Sequence, residues 1–412
     1  YSEFKGKHNY NIYNIKIMDL ISRQGIGSLI QLTAIGPEDY DLHAETETFS
    51  FQSEYKQYNQ FAIDWPEASV FKTEPTFGSE LIYTIPKSGD LIHSIFLEIH
   101  LPELVQDLGT FVNWKTNIGL LIIKSFKISV QDEIIYEIDS QFLDIFNESN
   151  VKSKSLYNSI EGKSSILYVH IPFWYTKLIN QYFPLLTLHQ QEVKFLLTLR
   201  DINELIDTDG QLQRASLNIM SRTAKFEIES HNLTWKQNEN NLKVDILTQY
   251  ITLQESEKRF FINNKHSFGC QQVIIQEETI TTNNQKFDLL FNNPVRTIHF
   301  VVYSDSDIFD YKRIDAARLI LFDASDENIK PEGYFRLIQS YYCLDSIPEK
   351  YIYTYSFALQ AYNSQPTGHA NFSKLKTKYI EIHGGAGYKL KIYAIVQNEF
   401  ETIDGNGRLV YT

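Results

Sequence analysis

The chain has 412 residues, 14% of them aromatic, and a formal charge of −13, a balance that argues against a broad phosphate-binding face because nucleic-acid affinity rests on Lys and Arg. Its two cysteines, Cys270 and Cys343, form neither a disulfide framework nor a zinc pattern and read as buried thiols. No apolar run approaches the roughly 18 residues that a spanning helix needs.

At this length two domains of roughly 200 residues are expected, and 26 Tyr, 27 Phe and short Ile, Thr and Val runs favour strands. The first 17 residues are polar and differ in character from the rest of the chain. No cleavable apolar region opens the chain, so intracellular assembly is the expected route. Period-two alternation then predicts strands with one buried face at Ile95, Leu97, Ile99 and Leu101, at Phe126, Ile128 and Val130, and late in the chain at Leu390, Ile392, Ala394 and Val396. Turn clusters punctuate them at Pro86 to Asp90, Asp207 to Gly210, Asn283 to Gln285, Gly384 to Gly387 and Asp404 to Gly407. Helical period is confined to short pieces near Phe142, from Tyr175 to Gln181 and near Phe335.

One order of elements occurs twice. Strand Phe126 to Val130, a helix near Phe142, strand Ile166 to Ile171 and strand Val193 to Leu199 are followed by strand Leu319 to Phe322, a helix near Phe335, strand Ile352 to Phe357 and strand Tyr379 to Ile382. The pattern predicts a duplicated all-β chain of two tandem eight-stranded antiparallel jelly rolls with short helices in the connections. The expected division is residues 1–24 as an N-terminal arm or extension, 25–210 as the first jelly roll and 211–412 as the second.

Chemistry-bearing patterns all have a bland reading. His189 and Glu192 have a spacing that suits two metal ligands on a helix, but the block leads into a strand, where a spacing of three points to opposite faces. Asp305, Asp307 and Asp310 suggest a hard cation, yet the EF-hand order, central Gly and closing Glu are missing, and a solvated loop is expected. Gly384, Gly385 and Gly387 precede a strand and so read as a hairpin turn, since a dinucleotide cradle opens a helix. Neither a G-x-S-x-G elbow nor an H-E-x-x-H pair occurs. Sequons begin at Asn147, Asn232 and Asn371 and are expected to be unmodified. Trp65, Trp114, Trp174 and Trp235 are assigned to core packing or subunit contact. No catalytic, cofactor-binding or metal residue is expected, and no cofactor.

The segment Gln365-Pro366-Thr367-Gly368-His369-Ala370-Asn371-Phe372-Ser373 combines a φ-fixing proline, a permissive glycine and an Asn and a Ser able to bond nearby backbone. After the strand Tyr355 to Leu359 it resembles the second half of the major capsid proteins of nucleocytoplasmic large DNA viruses, the double jelly-roll capsid family. Further blocks carry the likeness: Gly27 to Leu32, Asn59 to Ile63, Gly89 to His93, Leu101-Pro102, Trp114 with Ile118-Gly119, Tyr136, Asp139, Phe142 and Leu143, Ile171 to Trp174, Pro184-Leu185, Leu188 through Lys194, and Asn293 to Arg296, where Asn replaces a His. Met18 to Ser22 resembles the family's ordinary start.

The resemblance implies a structural major capsid protein of a large icosahedral double-stranded DNA virus, forming homotrimeric pseudo-hexagonal capsomers. It implies contacts with itself, with neighbouring capsomers and minor or penton proteins, and indirectly with an internal membrane; the acidic charge balance makes direct nucleic-acid binding unexpected. The expected location is the virion, after assembly in host cytoplasm. Two alternatives stand beside it: a poxvirus-type scaffold coating an immature virion membrane, and a glycan-binding or glycan-cleaving double β-sandwich.

Overall fold

The computed structural model describes residues 30, 34, 36–37, 57–66, 69–71, 73–102, 104, 112–150, 165–176, 180–208, 225–228, 231–234, 242–321, 328–363 and 365–411. The expected arm at 1–24 and Trp235 lie outside them, as do most of the family-like opening at Gly27 to Leu32 and the turn residues Asp209 and Gly210. Two β-sandwiches make up the compact unit Asn59–Thr412.

Eight strands build the first sandwich: β1 Phe61–Asp64, β2 Glu80–Thr84, β3 Leu91–Leu101, β4 Ile123–Val130, β5 Glu133–Asp139, β6 Ser165–His170, β7 Val193–Leu199 and β8 Lys243–Leu253. They pair antiparallel in two sheets, ordered β1-β8-β3-β6 and β2-β7-β4-β5. Eight more build the second: β9 His266–Thr279, β10 Asn284–Asp288, β11 Pro294–Tyr303, β12 Ala316–Ile320, β13 Lys330–Pro331, β14 Tyr353–Ser356, β15 Tyr379–His383 and β16 Lys389–Ile403. Their orders are β9-β16-β11-β14 and β10-β15-β12-β13. Each strand of the second sandwich therefore takes the place of the strand eight earlier, which is a double jelly roll. The short strands Ser69–Val70 and Asn406–Leu409 pair with β8 and with the end of β16.

Both sandwiches place a helix between their fifth and sixth strands. In the first it is α1, Ser140–Ser149, capped by the Asp139 carboxylate, which accepts from the Phe142 amide at 2.8 Å. In the second a π turn, Tyr334–Ile338, runs directly into α2, Gln339–Cys343. The duplicated order read from the sequence is thus the order of equivalent strands.

Alternation explains which face is buried. In β3 the side chains of Ile95, Leu97, Ile99 and Leu101 enter the core, and Phe96, Glu98 and His100 stand on the opposite, outward face. β16 departs from the expectation of one buried face. Leu390, Ile392, Ala394 and Val396 enter the core of the second sandwich, while Tyr393 and Ile395 enter the core shared with the first. Covered on both sides there, the strand keeps polar side chains on its second face at its start, at Lys389 and Lys391.

Three sequence expectations are corrected. β8 hydrogen-bonds β3 and β1, so residues 243–253 lie in the first sandwich, and a division at 210/211 would have placed them in the second. Gly384 to Gly387 is no hairpin: β15 and β16 belong to different sheets, and the glycines, with φ of 93°, 78° and 87° at Gly384, Gly385 and Gly387, carry the chain across. Of the expected helical piece Tyr175 to Gln181, Tyr175 and Thr176 form a turn, and residues 177–179 lie outside the described residues.

Candidate assembly surface

The residues singled out for chemistry are held by local partners. His189 follows a 3-10 turn, Leu185–Leu188, and its carbonyl accepts from the Lys87 ammonium at 3.0 Å. Glu192 pairs with Lys194 at 3.4 Å. Asp305 is 2.8 Å from the Lys389 ammonium, Asp307 accepts from the Phe309 amide at 3.0 Å, and Asp310 pairs with Lys312. Each of the three aspartates is thus engaged in its own contact. Asn371 accepts from the Ser373 amide at 3.1 Å and caps the turn Phe372–Lys374, which supplies a structural reason for that sequon. Asn147 lies on α1 and Asn232 on the short strand His231–Thr234.

Cys270 and Cys343 are buried, and burial pushes their thiols up to about 12 and about 11. Trp114 is buried, and Trp174 packs against Tyr136, Tyr175, Phe183 and Phe400. Trp65 is 46% exposed and lies against Phe96.

α1 joins the two sandwiches. Its Asp144 carboxylate is buried and takes the Lys350 ammonium at 2.8 and 2.7 Å. Desolvation raises the Asp144 pKa, and Lys350 opposes that rise. Gln141 donates to the Ile308 carbonyl at 2.8 Å, Phe146 meets Tyr362 edge-on at 5.1 Å, and Ser346 donates its amide to the Ser149 carbonyl at 3.0 Å. Asp139, just before α1, receives Tyr393 and Lys391 from β16. The helix of the first sandwich thereby seats itself on the back of the β9-β16-β11-β14 sheet.

The equivalent helix of the second sandwich is differently disposed. Phe335, Ser340 and Cys343 are buried, whereas Leu337 and Tyr341, and Ile338 and Tyr342, form two adjacent i, i+4 rows exposed at 40, 70, 51 and 76%. A second apolar surface lies on the outward face of the β1-β8-β3-β6 sheet, where Phe61, Ile63, Trp65 and Ile166 are exposed. Exposed apolar groups at this density mark contact surfaces.

The same outward face carries a cluster that sequence reading missed. Alternation sets Glu98 and His100 side by side, and register brings Asp245 opposite Glu98 and Lys243 opposite His100. The Glu98-x-His100 spacing on a strand was a usable signal for half of it. Asp245 arrives from far along the chain and had none.

Two family models match the chain in succession: the major capsid protein N-terminus over residues 49–254 and the large eukaryotic DNA virus major capsid protein over residues 257–404. The chain belongs to the major capsid proteins of large eukaryotic DNA viruses. Among the relatives of this capsid protein is the major capsid protein of Pyramimonas orientalis virus, 24% identical, with 94% of this chain and 99% of the relative covered. Another is the major capsid protein of Paramecium bursaria Chlorella virus 1, 22% identical over 85% of each chain. Among solved structures, the PBCV-1 virus capsid has a TM-score of 0.71 at 17% identity, covering 88% of this chain and 99% of that one. The Faustovirus major capsid protein has a TM-score of 0.66 at 11% identity, covering 93% and 98%. At these identities the structural likeness speaks for the double jelly-roll fold. The function is structural: a major capsid protein of a large DNA virus.

Proposed function

We propose that three copies of this capsid protein close into a pseudo-hexagonal capsomer, and that the capsomers tile an icosahedral shell together with minor and penton proteins. The observation that carries this reading is the contrast between the two connecting helices. α1 packs on the back of the next jelly roll within its own chain; the π/α2 helix repeats its position but presents Leu337, Ile338, Tyr341 and Tyr342 to solvent. Applying the same relation once more seats that helix on the outward sheet face of another copy's first jelly roll, where Phe61, Ile63, Trp65 and Ile166 are exposed. A head-to-tail contact of this kind generates a ring when the rotation closes. Two jelly rolls per chain and three chains give six near-equivalent sides.

The division between the jelly rolls lies, on this reading, in the connection after β8, close to residues 254–257; the end of one family match and the start of the next support it. The protein's place is the virion, following assembly in the host cytoplasm, with an internal membrane as an indirect neighbour. Its surface charge adds long-range repulsion that salt screens, so assembly is ionic-strength dependent. Sedimentation equilibrium tests the reading: three copies of a 48.1 kDa chain make a particle of about 144 kDa. A monomer at all accessible concentrations would remove it.

A further inference from the structure

We propose that Glu98, His100 and Asp245 bind one divalent cation of the zinc class on the outward face of the first jelly roll. Their ligand atoms, one from each side chain, all lie within 4.8 Å of one another. Zinc bonds of about 2.1 Å in a tetrahedron put ligand atoms about 3.4 Å apart, so side-chain adjustment of about an ångström closes the set. His100 Nε2 and Glu98 Oε1 are 2.6 Å apart in a hydrogen bond, and a bound cation would take the place of its proton between the same two atoms.

Asp245 supplies the independent indication. Its side chain is 1% exposed, and among the described residues Oδ1 has no hydrogen-bond partner. A buried carboxylate oxygen without a donor is costly, and a cation between it and the His–Glu pair satisfies it. The Lys243 ammonium sits 2.6 Å from Oδ2 but is 56% exposed, so it neutralises part of the charge while keeping freedom to swing outward. His100, 31% exposed, leaves an entry path. One imidazole nitrogen with two carboxylates suits zinc-like ions, whereas Ca²⁺ and Mg²⁺ take oxygen ligands. Three protein ligands leave a fourth position for water.

The test is a zinc titration of the purified full chain against a chromophoric chelator, repeated with His100→Ala and Asp245→Asn. One Zn²⁺ per chain is expected, and each variant should weaken binding at least as much as loss of an outer-shell partner does, roughly 10- to 100-fold. Cobalt(II) should give the visible absorption of a tetrahedral N/O site, lost in both variants, and excess Mg²⁺ should not displace zinc. Lys243→Met should bind at least as tightly as the parent chain. Zinc binding unchanged in both ligand variants, or no stoichiometric binding by the folded parent, overturns the assignment. Should Asp245→Asn fail to fold, the partly exposed His100→Ala decides alone.

Discussion

The hydroxyl of Tyr393 donates to both carboxylate oxygens of Asp139, at 2.9 and 3.0 Å, and so ties β16 of the second jelly roll to the end of β5 in the first. The same carboxylate takes the Lys391 ammonium at 2.7 Å and caps α1. One buried acid thus fixes a helix start and the junction between the jelly rolls. Burial, followed by the Asp139 charge, pushes the Tyr393 phenol well above its ordinary pKa, which keeps it a donor.

Tyr393→Phe removes that donor and preserves the ring against Phe142. A hydrogen bond to a charged group contributes about 1.5–3 kcal/mol, and a loss of that size is expected in the urea midpoint with an unchanged slope. A difference below about 0.5 kcal/mol would mean that Lys391 and the Phe142 amide satisfy Asp139 without the phenol.

His299 gives a pH signature. It is fully buried, with Nδ1 2.9 Å from the Thr354 hydroxyl and Nε2 2.9 Å from the Tyr362 hydroxyl, and burial pushes its pKa down to about 3. The unfolded chain takes up this proton below about pH 6.5, and the folded chain only near pH 3. The folded state therefore holds fewer protons across that window. Stability is unaffected by this group above about pH 6.5 and falls as pH drops toward 3, by at most about 1.4 kcal/mol per unit. In His299→Gln the slope between pH 6 and 4 should flatten by up to about that amount, read as the difference between two denaturation series. Parallel series would show that the imidazole is protonated in the fold.

Local pattern made the strands legible, and chain topology hid the rest. Ile95, Leu97 and Ile99 declare β3 because alternation is a property of neighbours, and the repeated strand–helix–strand–strand order exposed the duplication without side-chain identity. β8 was misplaced because its partners β3 and β1 lie far back along the chain, and nothing within Lys243–Leu253 says which sheet it joins. The glycines before β16 looked like a hairpin since glycine permits positive φ in either kind of turn. Alternation assigned one buried face to β16, and the docking of α1 and Asp139 onto the other face buries Tyr393 and half-buries Lys391.

Gly368 tests the loop that carried the family likeness. Its φ is +144°, and a Cβ there would stand 2.5 Å from the Phe357 carbonyl oxygen, a backbone atom with no freedom to retreat. Gly368→Ala should cost at least about 1–3 kcal/mol. Gly333 is the control: it has a helical φ of −61° and open space at the Cβ position, so Gly333→Ala should be neutral or stabilising by about 0.4–1 kcal/mol. Equal effects at the two glycines would mean that the loop relaxes around the added methyl.

The exposed rows of the π/α2 helix separate assembly from folding. Because Tyr341 and Tyr342 are 70 and 76% exposed, replacing both by Asp should leave the thermal midpoint of the isolated chain nearly unchanged, within about 0.5 kcal/mol per site. At a water-excluding contact the same two charges would be buried without partners, a penalty of several kcal/mol per charge that a ring of three cannot absorb. Sedimentation should therefore shift from the proposed trimer to a 48.1 kDa species. Phe61→Asp with Ile63→Asp, on the face assigned to the opposite side of the contact, should do the same. A helix variant that stays trimeric while the sheet-face variant dissociates would break the pairing of the two surfaces and leave the sheet face with a different partner element on the neighbouring copy.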